Sequence, residues 1–243
     1  MRIDFYEEFP TIRNISKLKL IRFKTKLFVA AKSFDDFKKI KSCVHIYKHN
    51  NIKLVYWPIL KNSYYISGFS NTEDLNELFT SLNKINEELL IDLELPWLNP
   101  FLFITNFFKL KKNRKIISDF LEKNSNRITI AESYLSFGRM GRLFGLKYNV
   151  NCKRSLMWYS STRFKWQNSE IIKKLKRIRN KNKQFPAIGT IAGGIYRIKF
   201  IESPENLEKD LAFLYNKKFK EVIIFRLGGL DKKNIGIIEK FVK

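Results

Sequence analysis

Short β-rich runs alternate with longer amphipathic stretches eight times along this chain, and no other feature limits its fold as strongly. The runs begin at intervals of roughly 30 residues, which is the length of one strand-helix unit. Alternation on this scale favours a parallel sheet covered by helices. The predicted strands are residues 3–9, 27–31, 52–59, 89–95, 128–134, 156–160, 187–192 and 222–227.

Helices are predicted between these strands, and several follow a residue that can cap a helix. Pro204 would occupy the first helical position after its cap, where proline is well tolerated. The expected caps are Ser33, Asn71 or Thr72, Ser169 and Ser203. The first helix begins near Thr11, the segment 136–145 is weakly helical, and the others span 34–41, 73–86, 114–123, 170–180, 204–216 and 234–242.

Two topologies suit eight alternating units: a closed barrel and a doubly wound open sheet. An open dinucleotide-binding sheet carries G-x-G-x-x-G after its first strand. Here that turn reads Glu7-Glu8-Phe9-Pro10 and contains no glycine. The length of 243 residues also matches a barrel of roughly 250 residues. We therefore predict an α/β fold, a single (β/α)8 TIM barrel formed by residues 1–243 as one domain.

Targeting and metal-binding signals are sparse. The amino-terminal residues show no basic region followed by an apolar one, and no run approaches the ~18 apolar residues of a membrane span. Cys43 and Cys152 are not in a C-x-x-C spacing. His45 and His49 precede the third strand, at the end of a barrel opposite its usual site. The sequence thus predicts a cytoplasmic location and indicates no metal or other cofactor.

The formal net charge of +24 has two explanations. A basic surface attracts anionic partners such as nucleic acid, phosphorylated ligands or a lipid surface. Alternatively, an AT-rich genome supplies lysine in excess. The basic runs 109–115 and 173–183 lie on predicted helices or at their ends, which form the outer layer of a barrel. We expect mainly a solvated shell, with weak affinity for nucleic acid or an anionic membrane.

Six of the 23 acidic residues lie on or at the ends of predicted strands. A barrel places its catalytic residues at the carboxyl ends of the strands. Side-chain alternation puts Asp92 and Glu94 on one face of strand four, where two close carboxylates influence each other's ionisation. The six acidic residues are Asp4, Glu7, Glu8, Asp92, Glu94 and Glu132.

Glu132 ends strand five, and the parity of strand six directs Met157 and Tyr159 inward. Carboxylates together with a tyrosine suit cleavage of a glycosidic bond, in which one group protonates the leaving oxygen. We therefore predict Glu94, Asp92, Glu132 and Tyr159 as the catalytic residues. The structural alternative is that one or two of the acids form buried ion pairs with Arg226 on strand eight.

The tryptophans are consistent with a sugar ligand. Trp57, Trp97, Trp158 and Trp166 lie near the carboxyl ends of predicted strands or just after them, where an aromatic face can stack on a sugar ring. Bulky aromatics also fill the rims of many barrels, and parity directs Trp158 toward the helices. The predicted substrate-binding residues here are Glu8, Lys32, Trp57 and Trp97.

Two of these motifs resemble a known family. Asp92-Leu93-Glu94 on strand four and Met157-Trp158-Tyr159 on strand six are similar to the D-x-x-D-x-D-x-E and M-x-Y-D patterns of the chitinase-type glycoside hydrolase barrel, whose hydrolysis is substrate-assisted. The resemblance implies that Glu94 is the general acid, that Asp92 orients an acetamido group and that Tyr159 hydrogen-bonds to it. Three positions depart from the patterns, since Glu87, Leu90 and Ser160 stand where the family has aspartates, and no tryptophan ends strand eight.

Glycines after strands seven and eight support a different function. Gly193-Gly194 and Gly228-Gly229 lie where many barrels bind phosphate through backbone N–H groups, and Arg226 would add a bidentate charge. A lyase, isomerase or phosphodiesterase acting on a phosphorylated small molecule would use such a site, with Lys32 as a Schiff-base or electrostatic lysine. The alternative is that these glycines only turn the chain.

A third function class is not catalytic. The connection 97–110 is rich in aromatic residues and runs directly into the basic sequence 111–115. Apolar residues beside a basic cluster suit a membrane interface or a partner's groove. They suit a buried lid over the mouth of the barrel equally well. The expected ligands are therefore an oligosaccharide or small-molecule substrate, or an anionic surface.

Overall fold

The computed structural model describes residues 1–46, 51–61, 63–96, 99–133, 136, 139–162, 164–194 and 201–242. Its eight strands are all parallel where pairings are described and close into a barrel in their order along the chain, from β1 to β8. This confirms the predicted (β/α)8 TIM barrel. The strands are β1 Arg2–Glu7, β2 Thr25–Ala31, β3 Ile52–Pro58, β4 Leu89–Leu93, β5 Ile128–Glu132, β6 Lys153–Met157, β7 Gln184–Gly189 and β8 Glu221–Phe225.

Helices follow each strand in the described part of the chain, and the longer ones bury a single stripe. Helix α8, for example, buries Leu207, Leu211 and Leu214, a spacing of four and three residues that lies on one helical face. The helices are α1 Ile12–Ile15, α2 Phe34–Ile46, α3 Thr72–Leu82, α4 Phe101–Thr105, α5 Leu110–Lys123, α6 Arg139–Leu143, α7 Lys165–Arg177, α8 Pro204–Asn216 and α9 Lys232–Glu239.

The chain divides into two compact units. The first comprises Met1–Ala30, Asp35–Val55 and Ser155–Lys243, and contains the closure of the barrel, in which Ile3 pairs with Val222 and Tyr6 with Phe225. Tyr6 also donates a hydrogen bond to Ser155 Oγ at 2.8 Å.

The second unit comprises Ala31–Phe34 and Tyr56–Arg154. It is built on the β4–β5 pair, whose register runs from Leu89 opposite Ile128 to Leu93 opposite Glu132. Helices α3 and α5 pack together through Phe79 and Phe120, whose rings stack with centroids 4.1 Å apart.

Local signals predicted most elements well. Asn71 caps α3, and Ser203 caps α8 with Pro204 in its first turn, as expected. Ser169 does not cap α7, which begins at Lys165 because Gln167 accepts a hydrogen bond from the backbone N–H of Phe164. Strand β6 starts three residues before the predicted start. The prediction began too late because the first residues of the strand are polar and do not form a β-rich run. Among the residues that the structure describes, no helix combines the length and hydropathy needed to cross a bilayer.

Candidate functional site

The carboxyl end of β4, in the second unit, holds the two acids on which the catalytic prediction depends. Asp92 is buried within the strand, and Glu94 is half-buried one residue past its end. Strand alternation places Asp92 on the face opposite to Leu93. The main chain is anchored here, because the N–H of Ile66 donates to the carbonyl of Asp92 at 3.2 Å. The strand therefore presents two carboxyl groups within three residues at the edge where barrel enzymes work.

Glu132 is directed away from Asp92. It lies opposite Leu93 in the β4–β5 register, and laterally paired residues project from the same face of a sheet. Asp92 is paired instead with Ala131. Glu132 forms a buried ion pair with Arg154, whose guanidinium also donates to the carbonyls of Tyr148 and Val150. Glu132 is therefore paired with a cation, Arg154, which also hydrogen-bonds to the backbone of the segment before β6.

The other predicted substrate-binding residues of the second unit differ in exposure. Lys32 is exposed in the bend that follows β2. Trp57 is buried within β3, so its indole faces are covered by protein. Stacking on a sugar requires an open aromatic face, which Trp57 does not present. Trp97 and His49 lie outside the described residues.

In the first unit, Glu7 and Arg226 form the buried ion pair considered as the structural alternative. Arg226 Nη1 donates to Glu7 Oε1 at 2.8 Å, and its Nε donates to the carbonyl of Gly193 at 2.8 Å. The backbone N–H groups of Phe9 and Gly228 donate to the same carboxylate at 2.8 and 2.6 Å. Burial raises the pKa of Glu7, while the charge of Arg226 and these hydrogen bonds oppose that rise.

This network engages two of the donors on which the phosphate alternative depends. Arg226 and the N–H of Gly228 bind Glu7, and the carbonyl of Gly228 accepts from Lys17 Nζ at 2.5 Å. Two of the glycines are required by close approach. A Cβ on Gly229 would lie 1.9 Å from the carbonyl oxygen of Ile191. A Cβ on Gly194 would lie 2.9 Å from Oε2 of Glu8, whose side chain is buried beside this glycine. These loops therefore pack against an internal carboxylate.

The residues after β6 follow the predicted parity. Trp158 is buried against Phe213 of α8, with ring centroids 5.6 Å apart, so it faces the helices as expected. Its indole N–H donates to Asn168 Oδ1 at 3.1 Å. Tyr159 is half-buried, and its ring lies 5.4 Å from that of Phe225, the last residue of β8. Trp166 is exposed on α7.

Ser160 joins two acids that the sequence reasoning missed. Its Oγ lies 2.7 Å from Glu202 Oε1 and 2.7 Å from Asp210 Oδ2. A serine hydroxyl carries one proton and donates to one acceptor at a time, so the second contact requires a proton on one of the carboxyl groups. Glu202 is buried, and its N–H donates to the carbonyl of Thr190, the residue after β7, at 3.1 Å.

The pKa values agree with one shared proton. The pKa of Glu202 is raised to about 7, chiefly by burial and in part by the negative charge of Asp210, against the lowering effect of the Ser160 hydrogen bond. Burial also raises the pKa of Asp210. Glu202 lies in a connection and Asp210 on helix α8, where acidic residues are usually solvated. The available signal was Ser160, a neutral residue in the position where the resembling family has an aspartate.

The fold has known counterparts, although the sequence has none: no family model and no curated protein matches the chain. Solved structures similar in fold include the C-terminal domain of a putative chitinase from Desulfitobacterium hafniense, at 9% identity and a TM-score of 0.61, covering 100% of this chain and 99% of that one. A class V chitinase from Nicotiana tobaccum has 12% identity, a TM-score of 0.57 and 98% coverage of both chains.

An α-L-fucosidase isoenzyme from Paenibacillus thiaminolyticus is similar at 11% identity and a TM-score of 0.59, covering 99% of this chain and 49% of that one. These three glycosidase barrels share the architecture described above. The resemblance to the chitinase-type barrel, noted from two short motifs, is thereby confirmed at the level of fold.

Proposed function

We propose that this chain is a carbohydrate-active barrel of the chitinase type, a glycosidase-like hydrolase in which Glu94 is the general acid. The observation that supports this most is the placement of Asp92 and Glu94 at the carboxyl end of β4 in a closed barrel whose fold neighbours include chitinases. In the resembling family the same spacing on the same strand carries the catalytic acid.

The chemistry proposed for Glu94 is proton transfer. Its carboxyl protonates the glycosidic oxygen as the bond to the anomeric carbon breaks, and the substrate's acetamido oxygen forms the new bond to that carbon. The Glu94 carboxylate then accepts a proton from the water that opens this intermediate. Asp92 hydrogen-bonds to the acetamido N–H and supports its attack. Tyr159, which matches the family tyrosine on strand six, is a further candidate for binding this group.

Two positions predict a weaker acid relay than the family pattern provides. Leu90, which replaces an aspartate on β4, is fully buried and supplies no carboxylate. Ser160, which replaces the aspartate after the tyrosine, contacts Glu202 and Asp210. Glu132, bound to Arg154, supports the structure of this region in the present proposal. We therefore expect slow turnover with retained binding of N-acetylated oligosaccharides.

The test is hydrolysis of a chromogenic N-acetylglucosamine oligomer by the Glu94→Gln variant. We expect activity to fall roughly 10²- to 10⁴-fold, the usual contribution of a general acid, with an unchanged circular dichroism spectrum. The matched control is Glu122→Gln, which changes an exposed glutamate on α5 and leaves activity unaltered.

Full activity in Glu94→Gln would contradict the assignment of Glu94 as the general acid. Binding of the oligosaccharide without hydrolysis by the unmodified protein, measured by calorimetry, would replace the hydrolase with a lectin-like function. If neither binding nor hydrolysis is detected, the carbohydrate proposal fails as a whole.

A further inference from the structure

Helix α4 and the 3-10 turn after it, Phe107–Lys109, expose four large apolar side chains. The exposed fractions are 73% for Phe101, 75% for Ile104, 61% for Phe107 and 94% for Phe108. Four such residues within eight positions form a contiguous patch, which we call the apolar patch. Isolated exposed apolar residues are common, but clustered ones mark interaction surfaces.

The apolar patch is held outward by residues that point the other way. Phe103 packs against the buried ring of Phe69, with centroids 4.9 Å apart, and belongs with Leu110 to a cluster around Leu95 and Leu146. Asn106 is buried and donates to the carbonyl of Phe69 at 3.0 Å. The segment is therefore fixed on its inner side, and the lid interpretation, which required burial of its aromatic residues, does not apply to the apolar patch.

A band of positive charge adjoins the apolar patch. Lys109, Lys111, Lys112 and Lys115 follow it along the 3-10 turn and α5, and all four are exposed. Lys111 and Lys115 also line a groove with Arg114, Arg142 and Lys147, in which Asp119 is the acidic lining residue. Exposed apolar side chains beside clustered lysines are typical of surfaces that dock on anionic lipid.

We propose that the apolar patch and its lysine band form a peripheral docking surface for an anionic lipid membrane. The phenylalanine and isoleucine side chains have no hydrogen-bonding group, so they suit the acyl region just below the headgroups. The lysines suit the anionic headgroups above it, and the net charge of +24 adds long-range attraction. This surface is formed by α4, the 3-10 turn after it and α5, and its role does not depend on the proposed hydrolase function.

The experiment is co-flotation of the whole chain with vesicles of phosphatidylcholine alone, and with phosphatidylserine added at about three parts in ten. We expect binding only to the vesicles that contain phosphatidylserine. The double variant Phe107→Ser, Phe108→Ser should weaken that binding about tenfold or more, because these exposed side chains supply much of the inserted area. Replacing Lys109, Lys111 and Lys112 by Gln should weaken it by roughly fivefold per lysine.

The matched control is Phe164→Ser, which removes a 71% exposed phenylalanine from the first unit and should leave vesicle binding unchanged. Unchanged thermal unfolding midpoints in all variants establish that each remains folded. Absence of binding to phosphatidylserine vesicles at physiological salt would overturn the proposal. So would equal binding by the double phenylalanine variant, since attraction would then come from net charge alone.

Two further outcomes would assign the surface to another partner and would also overturn the proposal. If the double variant loses affinity for a single-stranded oligonucleotide but not for vesicles, the surface binds nucleic acid. If it abolishes a dimer seen by sedimentation, the apolar patch is an interface between copies of this chain.

Discussion

Two buried carboxylate sites in the first unit solve the same electrostatic problem in opposite ways. Glu7 is paired with the guanidinium of Arg226 and accepts two backbone N–H groups. Glu202 and Asp210 lie around one serine hydroxyl, and no cation is seen to bind them among the described contacts. Because an unpaired charge is costly to bury, the first site keeps its charge with a partner, whereas the second keeps a proton.

Burial alone therefore does not determine whether a carboxyl group in this protein is charged or protonated. Both sites link segments that follow different strands: Glu7 at the end of β1 contacts Arg226 after β8, and Ser160 after β6 contacts Glu202 after β7. The charge-paired site depends on one particular side chain, and the proton-sharing site depends on pH. Each can be disturbed separately.

The largest effect is expected at the charge-paired site. Arg226→Gln leaves the carboxylate of Glu7 buried without its cation, and we expect a loss of about 3 to 5 kcal/mol in the free energy of unfolding. Urea denaturation measures it. Adding Glu7→Gln to this variant should restore part of the loss.

A surface pair of equal length provides the control for this prediction. Lys233 and Glu205 are also 2.8 Å apart, but each is 63% exposed, against 12% for Arg226 and 0% for Glu7. Lys233→Gln should cost less than about 1 kcal/mol, because water screens an exposed pair. A similar loss in both variants would mean that burial does not distinguish the two pairs.

The second effect is the pH dependence of the proton-sharing site. The pKa of Glu202 is raised to about 7 by burial, above the ordinary value of 4.5. The folded state therefore holds a proton that the unfolded state releases, so this contribution is complete below pH 4.5 and is lost as the pH rises to about 7. Its size is on the order of 3 kcal/mol, since one pKa unit corresponds to about 1.4 kcal/mol.

Glu202→Gln removes this titration, so its unfolding free energy should decline less over the same pH interval when followed by urea denaturation. Burial also raises the pKa of Asp4 to about 7, against the opposing charge of Arg2. Asp4 remains in both proteins, so its titration cancels, and the difference between their pH profiles reports the coupled pair of Glu202 and Asp210. Identical profiles would contradict the shared proton.

The smallest effect is expected from the hydroxyl itself. Ser160→Ala should cost about 1 to 2 kcal/mol, since it removes the hydroxyl that hydrogen-bonds to buried Glu202 and half-buried Asp210. The Ser160 hydrogen bond lowers the pKa of Glu202, so its loss should also move the pH midpoint upward. Ser42→Ala, which removes an exposed serine bonded to the carbonyl of Lys38, should cost less than about 0.5 kcal/mol. An unchanged pH midpoint in Ser160→Ala would argue that the hydroxyl does not couple the acids.

Sequence periodicity predicted the fold more fully than it predicted the candidate site. All eight strands were identified because a short β-rich run bounded by an amphipathic stretch is a local property of the sequence. The placement of Asp92 on β4 and of Trp158 toward the helices followed from the same rule. Glu132 shows where the rule stops, since its face depends on the register between β4 and β5.

The glycine and arginine residues after β7 and β8 illustrate the same limit. Their types suit an anion site, and the structure supplies an anion from within the chain. Glu7 and Arg226 are 219 residues apart and meet only because β1 pairs with β8. Ser160 and Asp210, separated by 50 residues, meet in the same way through tertiary packing.

The sequence by itself determined the eight strand-helix units, their closure into a barrel and the presence of acidic residues at the end of β4. Those features depend on periodicity and on residue type, which local chain geometry translates directly into structure. Only the tertiary structure decided which carboxylates are paired, since partners are set by register and closure. It also decided that the phenylalanines beside the lysines of α5 are exposed, because burial depends on which side of a segment the rest of the chain occupies.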